Sequence, residues 1–341
     1  MKRLFWLIII IMLCCGCSKN NEKRQVNILN WSSYIPDEVI LEFEEETGID
    51  VNYGTYSSNE ELLAKVSVAK EGTYDLIFPS DYMVEIMIDR GLIEKMDKSK
   101  LHNVINLNPN FLEKEYDPNN SYTLPFIAAS TVIAVNRDVI SDEIDSYNDL
   151  LNSKYKNEIV LIDDQRIIIG IALLANGYDM NSTDNNELEV AKNWLLELKK
   201  NLKAYDSDSP KNFLISEEAA IAVLWNAEGA LASMENSSIE NILPIEGVAL
   251  SIDNFAICNG AKNKDELYEF IDYILRPHVM KIIIESYPYK NVNLEAEAFL
   301  DMKYLNNTAA NIDDTVFNSG LFVKNIGENI SKYDRIWALI K

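Results

Sequence analysis

Carboxylates, aromatic rings and hydroxyls recur in this chain at one kind of place, directly after a short apolar segment. Trp31, Ser32 and Tyr34 follow QVNILN (25–30), and Ser80, Asp81 and Tyr82 follow YDLIF (74–78). Asp163 and Asp164 follow EIVLI, and Trp225 and Glu228 follow AAIAVL; Arg166 is the one cationic side chain beside these four junctions. Asp253 stands inside the apolar run VALSIDNFAI (248–257), where a buried charge needs a partner. Tyr287 precedes Pro288 in a turn-like segment. These residue types together suit recognition of an aliphatic ammonium. Aromatic faces attract cations by roughly 0.5–2 kcal/mol each and also cover methylene chains. Charge-assisted hydrogen bonds to carboxylates add about 1.5–3 kcal/mol. Two or three of each reach micromolar binding, about −8 kcal/mol, with no need for a metal, a cofactor or a covalent step.

Each residue also has a plainer role. Trp31 and Tyr34 could be core aromatics, Asp164 and Asp81 helix caps, Glu228 a solvated helix residue and Tyr287 a packing residue. Arg166 could be the internal partner of Asp253. A catalytic reading has less to stand on. The only histidines, His102 and His278, lie far from any candidate nucleophile, and G-x-S-x-G and H-E-x-x-H are absent. Asp163 and Asp164 could in principle serve a carbohydrate-active enzyme, but neighbours in a chain point apart. The chain is therefore read as a binding protein and not an enzyme.

Groups placed this way need strands whose carboxyl ends share an edge, which is where ligands bind in open parallel sheets. The pattern supplies them. Val26 and Ile28 alternate in a first strand; a helix from Pro36 and Asp37 buries Val39, Ile40 and Phe43 and stops at Gly48. IDVNY (49–53) is a strand, and Ser58-Asn59-Glu60-Glu61 a capping box opening a helix through Lys70. YDLIF reads as a continuous buried strand, followed by a helix to Arg90. Strands at 130–136, 158–163, 219–225 and 248–257 alternate with helices at 165–176, 185–201, 227–236, 264–275 and 277–286. The alternation predicts an α/β fold with largely parallel sheets, and the length predicts about two domains.

The ends and the charge give an address. Met1-Lys2-Arg3 and the apolar LFWLIIIIML form a run too short to cross a bilayer, which takes roughly 20 residues, but suited to a signal peptide. Residues 1–16 are expected to be removed at a bacterial lipoprotein cleavage site, leaving Cys17 lipidated and 17–24 as a polar tether. Cys258 is then the sole remaining thiol partner, so no intramolecular disulfide is expected within the folded part. A net charge of −23 opposes nucleic-acid binding and steers cations inward.

The segments NWSSYIP, TYSSNEELLAK, YDLIFPSDYMVE, YDPNNSYTLPF, LWN and LRPHV resemble, in this order, the spermidine/putrescine-binding proteins of bacterial polyamine ABC transporters, from about residue 26 to the end. The resemblance implies a two-lobed periplasmic-binding-protein fold with the ligand cleft between lobes. Lobe 1 would comprise 25–129 and 252–296, lobe 2 130–251 and 297–341, with hinges near 128–131, 249–252 and 295–298. It implies a protein that hands a polyamine to a membrane permease, which with the leader and Cys17 makes it an extracytoplasmic, lipid-anchored protein, expected to be a monomer. The family's cleft residues fall on Trp31, Ser32, Tyr34, Ser80, Tyr82, Asp164, Trp225, Asp253 and Tyr287, and Glu228 stands where putrescine-type members place an Asp. Three positions depart: Ile167 replaces an acid, Ser251 an aromatic and Val323 a polar residue. A different small cationic solute, or a sensing role, is the alternative that these three changes keep open.

Overall fold

The computed structural model describes residues 24–341 except Asp208; the expected signal peptide, Cys17 and the tether up to residue 23 lie outside the described residues. Strand β1 (Gln25–Trp31) pairs in parallel with β2 (Asp50–Tyr56) in a register running from Gln25↔Asp50 to Trp31↔Tyr56. On its other side it pairs in parallel with β3 (Leu76–Ile77). β2 thus runs three residues beyond the IDVNY segment and ends on an aromatic beside Trp31. β3 is shorter than YDLIF suggests, and side-chain bonds fasten both of its ends. The Asp75 carboxylate accepts the amides of Asn27, Lys262 and Asn263. The Phe78 carbonyl accepts Trp31 Nε1 at 2.9 Å and Tyr56 Oη at 2.6 Å.

Helix α1 (Asp37–Thr47) has two acids in its first turn, favourable against the helix dipole, buries Val39 and Phe43, and leaves through Gly48 at φ 69°, a left-handed cap that glycine adopts without strain. Helix α2 (Asn59–Val68) is capped by Ser58, whose Oγ accepts the Glu61 amide at 3.1 Å. The reciprocal half of the expected capping box is displaced: Glu61 returns to the amide and hydroxyl of Ser57, not to Ser58. Helix α3 (Asp81–Asp89) follows β3, and a two-residue strand β4 (Ile93–Glu94) follows it.

Strand β5 (Thr123–Asn136) is fourteen residues long and buried throughout, so the apolar segment 130–136 is only its second half. β6 (Ile159–Leu161) leads into helices α4 (Gln165–Ala175) and α5 (Asn185–Leu198), the latter finished by a 3₁₀ turn over Lys199–Asn201. Then come β7 (Leu202–Tyr205), β8 (Ile221–Trp225), helix α6 (Asn226–Glu235), β9 (Ile239–Ile242) and β10 (Leu250–Cys258). Helices α7 (Lys264–Ile274), α8 (Pro277–Ser286) and α9 (Ile330–Ile340) complete the scaffold.

The strands run in the order β2-β1-β3-β10-β5-β8-β6-β7, with β4 beside β10 and β9 beside β5. β1, β2 and β3 are parallel in one half, and β6, β7 and β8 in the other. The expectation of largely parallel sheets needs correction in between. β10 is antiparallel to β3, β4 and β5, and β5 is antiparallel to β8 and β9. A chain that passes from one half to the other and back must run in opposite directions on its two passes. Under this seam Phe78, Phe126 and Phe255 pack with centroids 5.1–5.2 Å apart, a rigid apolar floor. No helix among the described residues is long and apolar enough to cross a membrane.

Candidate functional site

The carboxyl ends of β1, β2, β3, β6 and β8 converge on one cleft. Trp31, Ser32, Tyr34, Ser80, Tyr82, Asp164, Trp225, Glu228, Asp253 and Tyr287 all line it. The centre of a water molecule can move over about 100 Å³ of it, several times the roughly 10–15 Å³ that one water needs. That is room for a slender chain.

The first wall is built by the turn after β1. Ser33 sits at φ 56°, in the left-handed region that costs a non-glycine residue roughly 1–2 kcal/mol, and the reversal brings Trp31 and Tyr34 into a stack with centroids 6.1 Å apart. Trp31 also lies 4.6 Å from Tyr56, and Tyr34 lies 5.0 Å from Tyr289. Trp31 remains half-buried and lines the cleft, as do Trp225 and Tyr287. The purely core-packing reading therefore fits Tyr34, buried at 8 % exposure, better than Trp31.

Asp253 is the centre of the floor. A backbone bridge sets Ser80 opposite it, and the register shift between Asp253 and Asn254 is the kind of irregularity that re-aims a side chain. Its carboxylate accepts Ser80 Oγ at 2.6 Å, Tyr34 Oη at 2.7 Å and, more loosely, Ser251 Oγ at 3.4 Å. It is 3 % exposed and in no ion pair among the described residues. Burial raises its pKa to about 6, against the opposing pull of these hydroxyls. Ser80 is thus committed to Asp253, and its Oγ also accepts Asn59 Nδ2 at 3.0 Å, so it orients the acid.

Asp164 caps α4. Its Oδ1 accepts the amides of Arg166 at 2.9 Å and Ile167 at 3.0 Å, leaving Oδ2 without a hydrogen bond among the described residues, so capping the helix leaves one oxygen available to a ligand. Burial and then the nearby charge of Glu60 raise its pKa to about 6. Glu228, in the first turn of α6, is not a solvated helix residue. Its Oε2 is buried without a partner, and burial raises its pKa to about 7. Asp81, set aside above as a cap, is 2 % exposed and lines the cleft. It accepts the amides of Tyr82 at 2.8 Å and Ile252 at 3.3 Å, and burial raises its pKa well above the carboxylate range.

Arg166 is the only cationic side chain of the lining among the described residues, and it is not the partner of Asp253. Its guanidinium lies 5.6 Å from the Tyr82 ring and 5.1 Å from the Tyr333 ring. Its Nη2 donates to Asn181 Oδ1 and the Lys324 carbonyl. The three departures all face the cleft: Ile167, Ser251 and Val323 line it at 2 %, 6 % and 5 % exposure. Sequence reasoning missed Tyr56, Asn59 and Tyr289, which line it too. Carrying the second strand on to Tyr56 would have exposed the first as another strand-end aromatic; nothing local marks the other two.

The arrangement can enclose a slender, apolar-waisted cation, offering carboxylates to its charged ends and rings to its middle. Comparison with known proteins agrees with this chemistry. Residues 38–311 match the family described as bacterial extracellular solute-binding protein. The spermidine/putrescine-binding periplasmic protein of Escherichia coli K12 is 37% identical over 322 residues, covering 94% of this chain and 92% of that one. Among solved structures, the spermidine/putrescine ABC transporter substrate-binding protein PotD of Streptococcus pneumoniae superimposes with a TM-score of 0.79 at 30% identity, over 93% of this chain and 98% of that one. The Tp0655 (TpPotD) lipoprotein of Treponema pallidum gives 0.84 at 26% identity, over 93% and 99%.

Proposed function

The chain belongs to the bacterial extracellular solute-binding proteins and has their two-lobed α/β fold, and from that premise we propose that it captures a polyamine, putrescine or spermidine, and delivers it to an ABC permease. The observation that carries this reading is uncompensated negative charge in an aromatic-walled cleft. Among the described residues Asp81, Asp164, Glu228 and Asp253 face a single guanidinium in the lining, Asp253 is held only by hydroxyls, and the Glu228 Oε2 has no hydrogen-bond partner, with Lys211 the one cation that acts on that carboxylate. A ligand with two or more ammonium groups supplies what is missing. Trp31, Tyr34, Tyr82, Trp225 and Tyr287 cover its methylenes; Asp164, Glu228 and Asp253 hold its charged ends; Ser32 adds a hydroxyl. No group in this scheme performs catalysis.

Lobe 1 is assigned residues 25–129 and 252–296, and lobe 2 residues 130–251 and 297–341. The side-by-side crossing of β5 and β10, with Ala129 opposite Ser251 and Ser130 opposite Leu250, supports hinges there, and closure is a hinge transition. The leader and Cys17 support anchoring to the outer face of a membrane, and the protein acts as a monomer. The smaller, more apolar wall at Ile167, Ser251 and Val323 favours one second reading, a different small cationic solute. Calorimetric titration with putrescine, cadaverine, spermidine and spermine decides. Heat and a raised melting temperature are expected for at least one; neither at millimolar ligand would end the polyamine reading.

A further inference from the structure

A second cavity adjoins the cleft and shares its wall at Ser57, Asp163, Asp164, Arg166 and Ser207. Its far side is formed by Tyr205 and Trp337, whose rings meet edge-on with centroids 5.4 Å apart. An ammonium already rests against these same rings. Lys341 Nζ pairs with Asp163 Oδ2 and lies 5.4 Å from the Tyr205 centroid and 5.5 Å from that of Trp337. Two rings and a carboxylate around one ammonium repeat the chemistry of the main cleft a few residues away, and Glu60 faces the same cavity.

We propose that this box is a second ammonium subsite, held by the protein's own Lys341 and ceded to the distal ammonium of a ligand too long for the main cleft. The inference rests on the polyamine reading of that cleft. Lys341 and Asp163 are each more than a third exposed, and ion pairs that stay solvated are weak. A competing ammonium therefore displaces Lys341 easily, while the ring faces favour either cation alike. A diamine bound to Asp253 and Glu228 has no free end to send there; a tetra-amine does. Lys341 acts as a length-dependent gate, open only to long polyamines.

The test follows Lys341 directly. In protein labelled with ¹³C at lysine Cε, the Lys341 signal, assigned through Lys341→Arg, is displaced by the ring currents of Tyr205 and Trp337. Saturating spermine should move it to the position of a solvated lysine, and putrescine should not. Lys341→Met should tighten spermine about three- to tenfold with putrescine unchanged, and Trp337→Ala should weaken spermine alone. A Lys341 signal unmoved by spermine, or equal effects of Lys341→Met on both ligands, overturns the subsite. Heat from spermine with Lys341 unmoved would keep the main-cleft reading and overturn the subsite alone; no heat from any of the four polyamines would defeat the main-cleft reading and the subsite with it.

Discussion

At the scale of single residues, Asp253 carries most of the chemistry. It is a buried acid with hydroxyl donors but no ion-pair partner among the described residues, and a pKa raised from 3.8 to about 6 makes ionisation dearer by on the order of 3 kcal/mol. Asp253→Asn should weaken polyamine binding by about 2–3 kcal/mol, roughly 30- to 150-fold, read by calorimetry; unchanged affinity would remove it from the site. Affinity in the native protein should rise between pH 5 and 8, because an ammonium pairs with the ionised forms of Asp164 and Asp253, near 6, and of Glu228, near 7. A titration series across that range checks the slope, and uptake or release of protons measured in two buffers checks its cause. Ile167 tunes the choice of ligand. Ile167→Glu should improve spermidine more than putrescine, since only the longer amine has a further charge to offer; equal gains would refute the idea.

At the scale of elements, the start of α4 does two things with one side chain. Asp164 Oδ1 caps the helix while Oδ2 is open. Asn caps about as well as Asp, so Asp164→Asn should leave stability within about 0.5 kcal/mol and still lower affinity at least tenfold; chemical denaturation and titration separate the two effects. Much of this element-level order was legible. Asp164 before an apolar run, Gly48 after one, and Pro277 at the head of a helix are local signals whose physics acts within one turn. The strand lengths were less legible. β3 keeps two ladder residues of the five in YDLIF, and the groups that fasten its ends, Asp75 and Phe78, bond to partners distant in sequence. β5 runs seven residues further back than its most apolar stretch because β10 continues beside it.

At the scale of the molecule, ligand binding and proton linkage are coupled. The raised acids hold protons in the folded protein that the unfolded chain has released between about pH 4 and 7. The free protein's stability therefore falls as pH rises through that window, and bound polyamine restores it. Calorimetric melting should show a free protein less stable at pH 7.5 than at 5, a loss reduced in Asp253→Asn and reversed by saturating ligand. Small-angle scattering should show a smaller radius of gyration with ligand if the two halves hinge at the β5–β10 crossing; an unchanged radius would mean the cleft fills without closing.

The order of apolar segments, the caps and the placing of rings and acids after strands depend on neighbours in the chain, and the sequence by itself determined them. It therefore determined the α/β class and the aromatic turn at Trp31 and Tyr34, while the two lobes and the ten candidate site residues as a set came with the family resemblance that the same segments carry; all ten line the cleft. Only the tertiary structure decided how those residues are wired. It committed Ser80 to orienting Asp253 and moved Arg166 away to Tyr82, Tyr333 and Lys324. It buried Asp81 in the lining and left one Glu228 oxygen unpartnered. Those outcomes depend on which desolvated groups meet across the fold, and a charge's worth is set by what surrounds it in space.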